Sequence, residues 1–467
     1  LDVFVVPSGV AVLATGYWPA FKGRKALAIE WADGPGALLD TDRLRVEYQA
    51  LASKPGIVAR DDGDFDRALS ESDETLDVEY EVPFMAHVPM EPLSCMVTLN
   101  EDGGAHIVTG SQMLGADHPA AAARLGVDPA QVTFENSFLG GGFGRRANPK
   151  NDFVIDAIEV ALAHGKRGLP IKTVWAREDD VTGGWYRPMF VNRTIAGLKD
   201  GKIHAWHHRI VGQSIATGTA FEGAMVVDGI DNASVEGAHD MPHGVPNLRV
   251  DLHTTNKPVT VQWWRSVGHS NTAFAKECFI DECAHALGRD PLELQRELLE
   301  GHERLLGVLN KAAEGADWGA PLPDGHGRGV AVHESFGSFA AHVVEASVEN
   351  GQPRVHRVVC AIDCGTAVNP DQVIAQMEGA TNFALSATLE GQITFTEGRV
   401  DQTNFDTFKV VRMDQSPKVD VHIVNSGEQM GGIGEVGVPP VASALCNALF
   451  AASGKRIRRL PIGDQLA

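Results

Sequence analysis

Apolar and polar residues alternate along the chain with two periods, one typical of strands and one typical of helices. Residues 1–18 alternate about a Pro–Ser–Gly turn and predict two paired strands, and we expect strands over the rest of residues 1–80 as well. Residues 151–165 have helical spacing, with Asn151 placed to cap the helix and Gly165 to end it. The first third of the chain therefore predicts strands followed by a well-defined helix.

The later part of the chain mixes the same two patterns. A helical block covers residues 271–301, and Asp290–Pro291 predicts the start of its second helix. A strand-rich segment comes next; it is interrupted by a helix that begins at Asn369–Pro370 and closed by a last helix over residues 441–454. Because strands and helices do not alternate regularly, the pattern predicts an α+β fold rather than a doubly wound sheet.

Composition narrows the possible functions. At 467 residues the chain is long for one core, and its 43% hydrophobic and 22% charged residues are ordinary for a globular protein. The formal net charge of −21 argues against a nucleic-acid binder, which needs a basic surface. No stretch is long and apolar enough to cross a bilayer, so the sequence does not predict an integral membrane protein. The six cysteines lack the spacing of a zinc or iron–sulfur site, and we expect buried free thiols.

The stretch GGGFGRR, residues 140–146, is the first candidate site. It follows an apolar strand and precedes a helix, so its N–H groups and the helix dipole suit an anion such as phosphate. A tight strand-to-helix turn explains the glycines equally well. Arg145 and Arg146 either meet the bound anion or are solvated charges at the start of the helix.

A second glycine-rich stretch, GGIGEVG, spans residues 431–437 between a predicted strand and the last helix. Gly432, Gly434 and Gly437 match the dinucleotide-binding pattern, but two prolines come directly after them and no acidic residue lies about 20 positions further on. The dinucleotide interpretation is therefore disfavoured. Glu435 instead lies in a tight loop with few groups to solvate it, which suits a general base; the alternative is a solvated surface glutamate.

Two further features allow more than one interpretation. The stretch HAWHHR, residues 204–209, contains three histidines, but on a strand they point to opposite faces, which favours a half-exposed strand over a metal site. Trp263 and Trp264 either line the pocket of a planar heterocycle or belong in part to the core.

Taken in order, these motifs resemble the molybdenum-binding subunit of the xanthine oxidase and aldehyde oxidoreductase family, in its isoquinoline 1-oxidoreductase beta-subunit branch. The resemblance covers nearly the whole chain and implies two molybdenum cofactor-binding domains, residues 78–305 and 306–467, the second carrying the Glu435 loop. It also implies that residues 1–77, which end in an acidic connection, are part of an α/β hammerhead-like domain.

The resemblance implies roles for individual residues, position by position. Catalytic roles fall to Glu435 as the base, to Gln112 of the motif TGSQ as a partner of the apical oxo ligand, and to Arg265 of the motif WWRSVGHS. The motif HVPMEP, which contains Glu91, is similar to a segment that lines the approach to the site. Contact with the cofactor is implied for Gly140, Gly141, Gly142, Phe143, Gly144, Arg145, Gln376 and Gly434.

The implied cofactor is molybdopterin cytosine dinucleotide, whose dithiolene holds the molybdenum, so no residue of the chain is expected to bind the metal directly. The implied reaction is hydroxylation of an electron-poor carbon in a small molecule. Because the chain shows no iron–sulfur motif, a partner subunit with 2Fe–2S clusters is expected to take the electrons.

The chain departs from the family pattern in two places. Ala147 stands where xanthine-type enzymes have a substrate-binding glutamate, which favours N-heterocycles or aldehydes over purines. A glycine-rich segment that grips the far side of the pterin has no counterpart, so the chain resembles the C-terminal two-thirds of a longer subunit. We therefore expect a processed chain and a separate chain that supplies the N-terminal part. Export signals in this branch favour the periplasm, with the cytoplasm as the alternative.

A different class of function stays open. A non-catalytic scaffold or nucleotide-binding remnant would keep the fold without the metal. Against it stands the joint presence of Gln112, the loop 140–144, Arg265 and Glu435, because a remnant has no physical reason to keep a base in a glycine loop.

Overall fold

The computed structural model describes residues 2–467 and confirms the predicted α+β class. The helices are α1 (Tyr17–Lys25), α2 (Thr41–Ala52), α3 (Phe65–Ser70), α4 (Leu114–Leu125), α5 (Asp152–His164), α6 (Arg177–Thr182), α7 (Glu222–Met225), α8 (Asn232–Val235), α9 (His269–Ala286), α10 (Pro291–Leu298), α11 (Glu303–Gly315), α12 (Pro370–Leu389) and α13 (Pro439–Ser453).

The strands alternate irregularly with these helices. They are β1 (Asp2–Val6), β2 (Gly9–Leu13), β3 (Ile57–Asp62), β4 (Glu74–Val82), β5 (Ser94–Leu99), β6 (Ala105–Thr109), β7 (Val132–Asn136), β8 (Pro170–Val174), β9 (Phe190–Lys199), β10 (Lys202–Gln213), β11 (Val226–Val227), β12 (Ile230–Asp231), β13 (Leu248–Thr255), β14 (His326–Ser335), β15 (Ser338–Glu349), β16 (Gln352–Asp363), β17 (Phe395–Thr396), β18 (Arg399–Val400) and β19 (Lys418–Ile423).

The prediction of strands throughout residues 1–80 was only partly right. β1 and β2 pair as the expected antiparallel hairpin, but α1, α2 and α3 occupy much of residues 17–70. In α2 the buried residues Leu44, Tyr48 and Ala52 recur every four positions, which is the helical period. Asp40 caps this helix by accepting a hydrogen bond from a backbone N–H of its first turn.

The larger sheet has five strands in the order β3-β13-β10-β9-β4. β13 runs parallel to β10, whereas the other neighbours are antiparallel. Residue 77 lies inside β4, so the first predicted domain boundary falls within a strand of this sheet. The division into three domains stays a prediction.

The predicted half-exposed strand at residues 204–209 is in fact interior. It forms part of β10, where Trp206, His207 and His208 are buried. The Nε2 atom of His207 lies 2.9 Å from a carboxylate oxygen of Asp251, and that of His208 lies 2.9 Å from the side-chain oxygen of Asn192. Both buried histidines therefore have protein partners. The two faces of β10 are covered by helices, with Phe65 of α3 beside His207 and Phe279 of α9 beside Trp206.

Most of the other sequence predictions hold locally. Asp290 and Asn369 cap α10 and α12 through their side chains, and Gly165 ends α5 in a left-handed conformation. Asn151 lies at the start of α5, but its side chain donates a hydrogen bond to Asp117 instead of capping the helix.

All six cysteines are free and buried, as expected. Among residues 2–467, no helix is both long enough and apolar enough to cross a membrane.

A second sheet, in the order β14-β15-β16-β19, supports the C-terminal helix α13. Gly327 and Gly329 on β14 allow α13 to approach this strand closely, since a Cβ atom at Gly329 would collide with the backbone of Ala444 and Ala448 in the helix. A third sheet, in the order β7-β6-β5-β8, packs against α5. Each of these two sheets therefore fixes a helix that is preceded by one of the two glycine-rich loops.

The close packing of α13 on β14 makes a stability prediction. Gly329→Ala is expected to destabilise the protein by about 1–3 kcal/mol, because the added methyl group meets rigid backbone. Gly307→Ala, in α11 and facing open space, is the matched control and is expected to stabilise by about 0.5–1 kcal/mol. Urea unfolding of both variants measures this difference, and equal stabilities would contradict the packing argument.

Candidate functional site

Each glycine-rich loop connects a strand to the start of a helix. The first, residues 137–151, runs from β7 to α5, and the second, residues 424–438, runs from β19 to α13. The second placement confirms the strand–loop–helix order predicted for GGIGEVG.

The glycines of the first loop make room for protein groups. A Cβ atom at Gly142 would collide with the side-chain oxygen of Gln112. Gly144 has a φ of 105°, and a Cβ atom there would lie 2.5 Å from the carbonyl oxygen of Trp263. The loop is thus a tight turn whose backbone is approached from two sides.

The same loop also exposes unused hydrogen-bond donors. Within residues 2–467, the backbone N–H groups of Gly141, Gly142 and Phe143 have no acceptor. Phe143 adopts the left-handed conformation, with a φ of 55°. In the second loop, the N–H groups of Gly434 and Glu435 are likewise without an acceptor in the described chain. Both loops therefore offer donors to a ligand that carries oxygen acceptors.

Arg265 joins the two loops. Its backbone N–H donates to the carbonyl oxygen of Phe143 at 2.9 Å, and its Nε donates to the carbonyl oxygen of Gly434 at 2.6 Å. Its Nη2 donates to Oε1 of Gln376, on α12, at 2.9 Å. Burial lowers the pKa of the Arg265 guanidinium to about 10, and the nearby Glu435 carboxylate opposes this shift. Arg265 thus brings together three other residues predicted for the site, Phe143, Gly434 and Gln376.

Glu435 is half-buried beside the Arg265 turn. Its Oε1 accepts a hydrogen bond from the backbone N–H of Ser266 at 2.8 Å. Its Oε2 has no hydrogen-bond partner within the described residues, 2–467. The carboxylate is therefore held by one oxygen, which leaves the other available to accept a proton.

Gln112 lies against the first loop. Its side-chain oxygen accepts hydrogen bonds from the backbone N–H groups of Gly144 at 3.1 Å and Arg146 at 3.3 Å. These bonds fix the orientation of the amide, whose NH₂ group finds no acceptor in the part of the chain that the structure describes. Gln112 can thus donate to a ligand beside the loop.

The two arginines at the end of the loop are almost fully buried, so the alternative that they are solvated charges is wrong. Arg145 is paired with Asp152 at 2.6 Å, and its guanidinium lies over the ring of Trp175. Arg146 donates to the carbonyl oxygen of Gly141 at 2.9 Å. Both buried side chains therefore stabilise the loop through contacts inside the protein. The contact of Arg145 with a cofactor stays a prediction.

The segment HVPMEP, residues 87–92, contacts Trp263 and the first glycine-rich loop. Burial lowers the pKa of His87 to about 3, so the ring is neutral and its Nε2 donates to the carbonyl oxygen of Trp263 at 2.9 Å. Glu91 accepts hydrogen bonds from the N–H of Gly140 at 2.8 Å and from Arg146 at 2.9 Å. Glu91 therefore holds the first loop in place.

An aromatic layer borders the site, and sequence reasoning missed its central member. The Phe383 ring packs between Phe143 and Trp264, with centroid distances of 4.5 and 4.6 Å. A signal was available, because Phe383 follows Gln376 by seven positions on α12 and so lies on the same helix face. Trp264 is buried and Trp263 is partly exposed, which confirms that one tryptophan of the pair belongs to the core.

Two models of the molybdopterin cofactor-binding domain match the chain, over residues 51–299 and 309–417. The chain is 30% identical over 485 residues to the isoquinoline 1-oxidoreductase subunit beta of Brevundimonas diminuta, covering 100% of this chain and 61% of that protein. It is 30% identical over 494 residues to a membrane-bound aldehyde dehydrogenase of Gluconacetobacter polyoxogenes, whose name specifies pyrroloquinoline quinone, covering 98% and 62%. The chain thus spans less than two thirds of either relative.

The fold is similar to that of a solved structure. Quinoline 2-oxidoreductase from Pseudomonas putida 86 superposes with a TM-score of 0.77 at 14% identity, over 98% of this chain and 84% of that chain. At this level of identity the likeness shows the fold alone.

Proposed function

Because the chain belongs to the molybdopterin cofactor-binding domain family and its resemblance to xanthine oxidase-type subunits is confirmed, we propose that it is the molybdenum-binding part of an oxidoreductase. The proposed reaction is hydroxylation of an electron-poor carbon in an N-heterocycle or an aldehyde, with water as the source of oxygen. The observation that carries this proposal is the single site that Arg265 forms from the loop of Phe143, the loop of Glu435, and Gln376.

The residues of the site fit a molybdopterin cofactor. Both loops have free N–H donors, and Gln112 has a free amide donor, all of which suit a group rich in oxygen acceptors. No group of three or more histidine, cysteine or carboxylate side chains that could hold a metal ion is found among residues 2–467. A metal there is therefore expected to be carried by the cofactor's own ligands, with the loops of Phe143 and Gly434 and the side chain of Gln376 beside it.

When bound, the cofactor supplies a Lewis-acidic metal and an acceptor for two electrons. The Oε2 atom of Glu435 accepts a proton from the water-derived nucleophile, since Oε1 is already held by Ser266. The NH₂ group of Gln112, beside the first loop, would donate a hydrogen bond to an oxygen of the bound group. The Arg265 guanidinium, which keeps its Nη1 free of acceptors within residues 2–467, stabilises negative charge that develops on the substrate.

The proposed substrate class rests on the walls of the site and on the relatives. The partly exposed Trp263 offers a flat apolar surface that suits a planar ring. Ala147 is buried and brings no carboxylate to the loop, so nothing at this position would bind the polar edge of a purine. The names of the two relatives specify an isoquinoline and an aldehyde enzyme, and this chain is proposed to act on the same two classes.

The oxidation releases two electrons, which must leave the protein. The six cysteines of the chain are all buried and free, so the proposed path leads to 2Fe–2S clusters on a partner subunit. The cofactor is proposed to be in the cytosine dinucleotide form.

Metal analysis of the assembled protein tests the proposed cofactor. We expect about one molybdenum atom per chain and release of CMP on acid hydrolysis. The name of the aldehyde dehydrogenase relative makes pyrroloquinoline quinone the competing cofactor. Finding that quinone in place of molybdenum, or finding neither in active assembled protein, would contradict the proposal. Absence of both molybdenum and turnover would favour the non-catalytic remnant.

Substitution of the proposed base tests its role. Glu435→Gln is expected to lower kcat by about 10²–10⁴-fold while the molybdenum content stays unchanged, because the amide cannot take up the proton. The matched control is Glu428→Gln, which removes the same charge from an exposed position of the same segment. Turnover is measured with N-heterocycles and aldehydes and an artificial electron acceptor. Near-normal activity of Glu435→Gln would remove this residue from the mechanism.

A further inference from the structure

The turn that carries Arg265 has an unusual backbone. Ser266 and Val267 both lie in the left-handed region, with φ values of 79° and 47°. Residues with a side chain rarely adopt this region, and a β-branched residue such as valine is a clear outlier there. Strain of this kind persists only where surrounding interactions fix the conformation, and it is concentrated at functional sites.

Both ends of this turn are anchored independently of Ser266. At one end, the backbone N–H of Arg265 donates to the carbonyl oxygen of Phe143. At the other end, the N–H of Gly268 donates to Glu236 at 2.6 Å, and a Cβ atom at Gly268 would collide with the carbonyl oxygen of Ala233. The turn is therefore held in place without the hydrogen bonds of Ser266. Those bonds are free to fix the position of a neighbouring segment.

Ser266 contacts Glu435 twice. Its backbone N–H donates to Oε1 of the carboxylate at 2.8 Å, and its hydroxyl donates to the backbone carbonyl oxygen of Glu435 at 2.7 Å. The residue is completely buried, so water does not compete for either bond. One residue thus fixes both the side chain and the main chain of the proposed base.

Val436, next to Glu435, is fully buried in the core, but few hydrogen bonds tie the main chain just before Glu435 to other segments. Gly432 donates to the carbonyl oxygen of Phe336, and Arg265 donates to that of Gly434. The N–H groups of Gly434 and Glu435 have no acceptor in the described chain. The carbonyl oxygen of Glu435 also accepts a hydrogen bond from the backbone N–H of Val438 at 3.0 Å, which lies within the same loop. The Ser266 hydroxyl is therefore the group that ties this carbonyl to the Arg265 turn, and its loss would release the main chain of Glu435 from that turn.

We infer that Ser266 is a positioning residue for the base. Its hydroxyl fixes the backbone of Glu435 and its N–H fixes Oε1, so that Oε2 is directed into the site to accept the proton. Serine rather than glycine occupies this left-handed position because only serine supplies the hydroxyl. This inference rests on the proposed role of Glu435.

Two variants at this position separate the hydroxyl from the backbone geometry. Ser266→Ala removes the hydroxyl but keeps the strained conformation, whereas Ser266→Gly removes both the hydroxyl and the strain. The matched control is Ser443→Ala in α13, which loses a buried hydroxyl that bonds only within its own helix. All three are compared with the wild type in the assembled protein, with kcat expressed per molybdenum atom.

We expect kcat to fall by about 10²-fold in Ser266→Ala, because a displacement of about 1 Å at a catalytic group has this effect. KM is expected to change little, because the aromatic walls of the site are untouched. Ser266→Gly is expected to lose less, since glycine keeps the left-handed turn without strain. A merely structural role would instead lower the thermal stability of the Ser266 variants and Ser443→Ala alike and leave kcat per molybdenum unchanged.

A crystal structure of Ser266→Ala gives a readout that does not depend on turnover. We expect the Glu435 carboxylate to occupy more than one conformation or to be displaced from its position in the wild type. An unchanged single conformation, or wild-type kcat per molybdenum in both Ser266 variants, would overturn the inference. If Ser266→Ala does not fold, Ser266→Gly decides the question. Turnover that is absent in the wild type, despite bound molybdenum, would instead refute the proposed function itself.

Discussion

The hydrogen bonds of Arg265 are the constraint on which the site depends. Phe143 and Gly434 are far apart in sequence and lie in loops that follow strands of different sheets. The carbonyl oxygens of both residues nevertheless accept hydrogen bonds from Arg265. A buried guanidinium is costly unless its donors are satisfied, and here the carbonyl oxygen of Gly434 and the side chain of Gln376 satisfy Nε and Nη2. Removing these acceptors would therefore separate the loops and leave an unpaired charge between them.

The rest of the fold keeps the partners of Arg265 within reach. α5 packs on the sheet of β5–β8, α13 lies directly on β14, and each helix fixes the end of one glycine-rich loop. α12 brings Gln376 and Phe383 to the same side of the site. Because the supports are packed elements, the loops can be rich in glycine and leave their N–H groups free without losing their position.

Sequence reasoning identified the groups of the site better than their surroundings. Glu435 was found because a carboxylate is unusual in a glycine loop, whereas Gln112 was found only through the family resemblance of the motif TGSQ. The burial of Arg146 was missed, because adjacent arginines give no sign that a carboxylate such as Glu91 comes from a distant segment. The contacts of Ser266 with Glu435 were also missed, because the left-handed backbone that makes them possible cannot be read from the residue type. The helices within residues 17–70 were missed because their helical period was overlooked in a polar segment.

Both loops are proposed to surround one molybdenum atom, and anomalous scattering measures its position directly. Crystals of the assembled protein would be measured on either side of the molybdenum absorption edge. The predicted result is one strong anomalous peak in the space bordered by Phe143, the Gln112 amide and the Glu435 carboxylate. A peak elsewhere, or no peak at this position in crystals of protein that contains molybdenum, would contradict this arrangement.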